Sequence, residues 1–218
     1  MLATILALFP EWLTPESLIE NGGYPLLFLI IFAESGLLIG FFLPGDSLLF
    51  TAGAVAAGAF SEIEALKDVD LNIWILIVGC VIAAITGDQV GYLIGSKAGP
   101  RIFSREESRL FKKSHVEKGT EFFERYGAKA IILARFVPVV RTFVPTIAGV
   151  SAMAYSKFFR FNIVGGLLWG GGVTALGYIF GKQQFVKDNF EIAILAVVAI
   201  SLLPIVFEIV KARKHRTA

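Results

Sequence analysis

Apolar residues run along this chain in long blocks, not in the scattered pattern of a soluble core. A helix crossing a bilayer needs about 20 predominantly apolar residues. The blocks 71–96, 161–181 and 192–210 fit single spans. Two other blocks do not. The block 26–60 is 35 residues long, too long for one ordinary span and short for two joined by a turn, and Pro44-Gly45 interrupts it. The block 128–156 has 29 residues and is interrupted by Pro138 and Pro145. Both read as re-entrant hairpins, with Pro44, Gly45, Pro138, Pro145 and Gly149 as their helix-breaking and turning residues. Broken backbone at membrane depth survives only when it is buried in protein or lines a watery cavity.

Composition agrees with this pattern. The chain has 218 residues, 56% of them hydrophobic and 17% charged, and its mean hydropathy is +0.72. The net charge of +2 is uninformative as a total, but its distribution is not. No Lys or Arg occurs in the first 66 residues, nine occur within 97–129, and four occur between Lys211 and Arg216. Under the positive-inside rule the segment 97–129 and the tail are cytoplasmic. Both ends of 128–156 are also basic (Arg125 and Lys129 before, Lys157 and Arg160 after), so that block should enter the membrane and return. The acidic segment 59–72 and the connection 183–190 then lie outside. The N-terminus has no basic region and no clear small-residue cleavage site, so no signal peptide is expected. Cys80 is the only cysteine, which leaves no internal disulfide framework and no cysteine metal cluster. His115 and His215 lie in charged segments and read as solvated.

The two halves resemble each other. FAESGLLIGFFLPG lies on LARFVPVVRTFVPT with Ala33 over Ala134, Phe42 over Phe143 and Pro44 over Pro145, and GYLIG at 91–95 recurs as GYIFG at 177–181. Inverted repeats with broken helices meeting at the midplane mark transporters. The expected fold is an all-α integral membrane protein, an inverted repeat of re-entrant hairpin plus transmembrane helix, with an additional C-terminal transmembrane helix. Along the single membrane domain 1–218 this means a surface segment 1–24, hairpin 26–60, transmembrane helix 71–96, charged cytoplasmic amphipathic segment 97–127, hairpin 128–156, transmembrane helices 161–181 and 192–210, and a basic cytoplasmic tail 211–218.

Five charges interrupt the apolar blocks: Glu34, Asp46, Asp88, Arg135 and Arg141. A charge at a bilayer centre costs upward of about 3 kcal/mol, so each is a functional candidate. Arginine suits an anionic phosphate because its planar fork gives bidentate hydrogen bonds and keeps its charge when desolvated. Arg135 and Arg141 are six residues apart, about 240° round an ideal helix, so a straight helix would splay them. Pro138 between them should bend or break the helix, letting both point into one site. The bland alternative is that they neutralise Glu34 and Asp46 as structural ion pairs. Glu34 and Asp46 are the candidate proton carriers, since burial and nearby arginine pull a carboxyl's protonation in opposite directions. Asp46 has a competing role as a helix N-cap before SLLFTAG. Asp88, in TGDQVGY, ranks third. Gly87, Gly91, Gly95 and Gly99, four residues apart, read as a surface for close helix packing, and Trp74 and Trp169 as boundary anchors.

The stretches ESG, FLPGDSLL and ARFVPVVRTFVPTIAGVSAM resemble the DedA family of bacterial inner-membrane proteins, related to eukaryotic proteins carrying the VTT or SNARE-associated domain. The resemblance covers roughly residues 20–185. It implies two opposed re-entrant hairpins, proton-dependent transport and work on lipid carriers such as undecaprenyl phosphate, with scrambling of phospholipids among relatives. It also implies that the essential acidic pair falls on Glu34 and Asp46 and the essential arginine pair on Arg135 and Arg141. Three function classes follow. The favoured one is a proton-coupled transporter or flippase for a lipid phosphate, not an enzyme, in the bacterial inner membrane with a cytoplasmic C-terminus. The others are an intramembrane hydrolase built on Asp46 and Asp88, and a nonenzymatic membrane-assembly factor. The expected partners are a membrane lipid or polyprenyl phosphate and protons. No cofactor, metal or nucleic acid is expected, and homo-oligomerisation is left open.

Overall fold

The computed structural model describes residues 15–38, 40, 43–60, 66–67, 69–102, 123 and 127–183. The expected span 192–210, the tail 211–218, the connection 183–190 beyond its first residue, His115 and most of 97–127 lie outside the described residues, as do residues 1–14 and Glu62, Glu64 and Asp68.

Every regular element among the described residues is helical. Helix α1, Pro15–Gly36, carries a kink at Gly23, where φ is 51° and ψ −145°. Only glycine adopts that conformation at little cost, and Pro25 just beyond it cannot donate a backbone hydrogen bond. The expected boundary between a surface segment and the first apolar block is therefore a kink inside one helix, not a loop. Helix α1 ends at Gly36, and the next α-helix is α2, Gly45–Ala56, with Pro44 at the N-cap. The interruption in 26–60 therefore falls between Gly36 and Gly45. Gly40 lies tight against α1: a Cβ there would meet Ala33 O and Glu34 Cα at 2.5 Å.

Helix α3, Ile73–Ile102, is longer than the expected 71–96. Asn72 Oδ1 accepts from the backbone N–H of Trp74 at 2.9 Å and satisfies one of its orphan donors. The block 128–156 contains α4, Lys129–Ala134, and α5, Pro138–Val150. Here the break is single. Val137 is extended (φ −118°, ψ 104°) because the residue before a proline is pushed out of the helical region, and Pro138 occupies the start of α5, where its missing N–H costs nothing. Pro145 and Gly149, expected to break or turn the chain, lie inside α5 without interrupting it. Helix α6, Tyr155–Gly166, passes through a π-helical turn, Leu167–Gly171, into α7, Gly172–Gly181. This span thus begins six residues before the expected 161–181.

Two helical stretches, Ile73–Lys97 with 25 residues and Tyr155–Gly181 with 27, are long and apolar enough to cross a membrane. At 1.5 Å per residue each reaches about 37 Å or more, beyond the ~30 Å hydrocarbon core. Their exposed faces are apolar, with Ile75, Val78, Ile82 and Leu93 on one and Leu168, Leu176, Ile179 and Phe180 on the other.

The chain divides into two compact units. One comprises Met1–Leu27, Pro44–Val78 and Gly172–Ala218, and the other Phe28–Leu43 and Gly79–Gly171. In the first, α2 packs on α7 backbone to backbone. A Cβ on Gly53 would meet Tyr178 N at 2.9 Å, and one on Gly177 would meet Phe50 C at the same distance. In the second, α5 packs on α3 in the same manner. A Cβ on Gly149 would meet Ser96 N at 2.7 Å, and one on Gly95 would meet Thr146 C at 2.8 Å. A Cβ on Gly87 would meet Phe32 O at 2.5 Å, and Gly91 faces Pro145. Close packing is thus the observed use of the first three rungs of the glycine ladder. Around them Tyr92, Ile131, Val144, Ile147 and Phe158 form the apolar core of the second unit, and the Tyr92 hydroxyl donates to Met153 O at 2.6 Å.

Candidate functional site

Glu34, Asp88, Arg135 and Arg141 all belong to the second unit, and all are buried. They form two ion pairs. Arg141 donates through Nη2 to Glu34 Oε1. Arg135 donates through Nη2 to Asp88 Oδ2 at 2.5 Å. Asp88, ranked third from the sequence, is therefore the direct partner of Arg135. Asp46 belongs to the other unit.

The location of the first pair argues against a purely structural origin. Glu34 sits two residues from the C-terminal end of α1, and Arg141 in the first turn of α5. A helix places partial negative charge at its C-terminus and partial positive charge at its N-terminus, so each charge occupies the helix end that disfavours it. Their mutual attraction must offset both dipoles as well as desolvation. Glu34 is wholly buried, and its second oxygen, Oε2, has no hydrogen-bond partner. Such an atom ordinarily carries a cost of about 1–3 kcal/mol, more when charged.

The second pair is more fully held. Arg135 is the C-cap residue of α4, immediately before the break. Its Nη2 also donates to Asn162 Oδ1 at 2.5 Å and, more weakly, to Ala84 O at 3.4 Å. Asn162 on α6 is fixed in turn, because its Nδ2 donates to Ile85 O at 3.1 Å. That bond aims the amide oxygen at the guanidinium. Gly165, one turn along α6, leaves room for the arginine stem, since a Cβ there would lie 2.8 Å from Arg135 Cδ and Nε.

Trp169 joins the two pairs. It lies in the π-helical turn and is 2% exposed, with the Arg141 guanidinium carbon 4.8 Å from its ring centroid and that of Arg135 5.9 Å away. Both distances suit cation–π attraction, which strengthens when the cation is desolvated. The expectation of a boundary anchor at Trp169 is overturned: the π-turn directs the indole into the protein, and such turns recur at functional sites. Trp74, by contrast, is 72% exposed at the start of α3.

The break before Pro138 thus brings both guanidiniums to one ring, as the six-residue spacing across a proline predicts. Asp88, ranked third from the sequence, is the carboxylate that engages Arg135. Asp46 lies in the first turn of α2 and is half-buried, while the N-cap is Pro44, so the capping role considered for Asp46 is not the one it fills. A carboxylate in a helix's first turn is still favoured by the dipole. Asn162 and Trp169 went unrecognised as site residues. The signal for Asn162 was present, an amide inside an otherwise apolar span. Nothing local marks Trp169, because the π-turn that redirects it has no sequence signature.

Comparison with known proteins places the chain in a family. The VTT domain family matches residues 43–179, and Protein DedA of Escherichia coli K12 is 45% identical over 191 residues, 88% of this chain and 84% of that protein. The chain belongs to the DedA family. An uncharacterized membrane protein of Mycobacterium leprae is 46% identical over 193 residues, covering 88% of this chain and 82% of its own. Inner membrane protein YghB of Salmonella typhimurium is 34% identical over 182 residues, covering 83% and 78%. No solved structure matches. Family membership and the two membrane-length apolar helices together make this DedA-family chain a membrane protein.

Proposed function

We propose that this DedA-family protein is a proton-coupled transporter or flippase that moves a lipid phosphate, such as undecaprenyl phosphate or a phospholipid, across the bacterial inner membrane. The observation that carries the reading is the pair of buried arginines at one tryptophan ring, each held by a carboxylate. An anionic headgroup needs cationic donors at membrane depth, and the two guanidiniums supply them. A buried ion pair contributes little net stability over apolar packing, which weakens a purely structural explanation. Arg135 and Arg141 are the phosphate-binding residues in this reading. Glu34 and Asp46 are the proton carriers, and Asp88 is a further acidic group at the site. The helix–break–helix courses of 26–60 and 128–156 support reading each as a re-entrant hairpin and the two as an inverted repeat. The basic residues of 97–129 and 211–216 put the C-terminus in the cytoplasm.

The test is reconstitution of the purified protein in liposomes with labelled undecaprenyl phosphate and, separately, labelled phospholipid, with and without a proton gradient. Gradient-dependent movement of a lipid phosphate is expected. Glu34→Gln and Asp46→Asn should insert normally and lose that movement. Normal transport by both amide variants, with unchanged pH dependence, would remove the proton role. An intramembrane hydrolase using Asp46 and Asp88 gains no support, because Asp88 is engaged by Arg135 and the arginines would have no task.

A further inference from the structure

Arg135 differs from an ordinary paired arginine in how its donors are used. Three acceptors from two helices converge on one nitrogen, Nη2: Asp88 Oδ2 and Ala84 O from α3, and Asn162 Oδ1 from α6. Ala84 and Asp88 are four residues apart and share a helix face. Asn162 is anchored to that face through its bond to Ile85 O. The stem is confined as well, with Gly165 against Cδ and Nε. Nε is buried and has no hydrogen-bond partner.

We infer that Asp88, Asn162 and Gly165 form a positioning clamp that occupies Nη2 of Arg135 and leaves Nε and Nη1 as the donors for an anionic phosphate. The inference rests on the lipid-phosphate reading above, gives Asp88 a positioning task, and assigns one to Asn162 and Gly165, which the reading does not use. A guanidinium held by one nitrogen keeps its other donors at a fixed place and angle, so binding loses little side-chain entropy. Lysine cannot do this, because its single nitrogen would have to serve both clamp and ligand. Neither Asn162 nor Gly165 touches the ligand in this arrangement; both act through Arg135. The aromatic face of Trp169 limits the guanidinium from a further side and leaves the clamp to set the direction of Nε.

The experiment measures equilibrium binding of labelled undecaprenyl phosphate to the purified full-length protein in detergent, alongside liposome transport. Asn162→Ala removes the amide acceptor and should raise the dissociation constant about tenfold, with maximal transport rate and folded yield near wild type. Asn162→Asp keeps an oxygen toward Nη2 but loses the donor to Ile85 O that aims it, and should fall between wild type and Asn162→Ala. Gly165→Ala leaves every polar group in place but presses on the stem. It should weaken binding as Asn162→Ala does, and it serves if the latter fails to fold. Unchanged binding in Asn162→Ala and Gly165→Ala, with a loss in Arg135→Ala, would overturn the clamp and leave the phosphate reading standing. Unchanged binding in Arg135→Ala itself would overturn the phosphate reading, and the clamp with it.

Discussion

The two units make the same helix contact with different contents. In one, Gly53 of α2 receives the backbone at Thr174 and Tyr178, while Gly177 of α7 receives Phe50. In the other, Gly149 of α5 receives Tyr92 and Ser96, while Gly95 of α3 receives Thr146. The correspondence is residue for residue. Phe50 and Gly53 take the parts of Thr146 and Gly149, and Thr174, Gly177 and Tyr178 those of Tyr92, Gly95 and Ser96. The first glycine of GYIFG therefore matches the last of GYLIG, one turn away from the register in which the two motifs overlay as strings. In membranes, apolar side chains gain nothing by leaving lipid for protein, so helices associate through small residues and close backbone approach. That explains why the glycine contact appears twice. The buried charges do not repeat: among the described residues, both ion pairs, Asn162 and Trp169 lie in the second unit. The glycine contact is scaffolding common to both units, and the two arginine–carboxylate pairs are built on one of its copies.

The largest effects should come from removing half of a buried pair. Glu34→Ala or Arg141→Ala leaves an uncompensated charge and should lower stability by about 3–5 kcal/mol, read as unfolding in detergent. Asp46→Ala, half-buried in the other unit, should abolish gradient-dependent transport with a much smaller stability loss. Equal destabilisation by all three would erase the contrast between the units.

Next come the glycines. Gly53→Ala and Gly149→Ala each force a methyl against backbone that has no room for it, at a cost of about 1–3 kcal/mol. Matching losses are expected in thermal unfolding. A neutral result at one position and a severe one at the other would show that the two contacts are not equivalent.

Conservative changes to the arginines probe chemistry without removing charge. Arg135→Lys and Arg141→Lys should each lower lipid-phosphate transport about tenfold while folded yield stays near wild type, because a planar fork becomes a point donor. Full activity in both would favour simple counter-charges. The smallest effect belongs to Tyr92→Phe. Its hydroxyl bond to Met153 O ties the glycine contact to the start of α6, and its loss should cost about 1 kcal/mol in the same unfolding assay.

Much of this molecule is written in local patterns. Runs of about 20 apolar residues locate membrane helices because hydrocarbon thickness sets their length. Pro44 and Pro138 locate two helix starts because proline lacks the N–H that a helix interior requires. The cost of burying charge picks out Glu34, Asp88, Arg135 and Arg141 as residues needing partners. Those conclusions depend only on near neighbours in the chain. Which carboxylate meets which arginine does not. Asp88 reaches Arg135 across 47 residues, and Glu34 reaches Arg141 across 107. Pro145 is also undecided locally, since a proline breaks a helix at one site and is absorbed at another according to what packs around it. Trp169 reads in sequence as an interfacial anchor and becomes the floor under two guanidiniums only because a π-turn rotates it inward. Pairing, register and side-chain direction arise from which helix faces come into contact, and only the tertiary structure decides that.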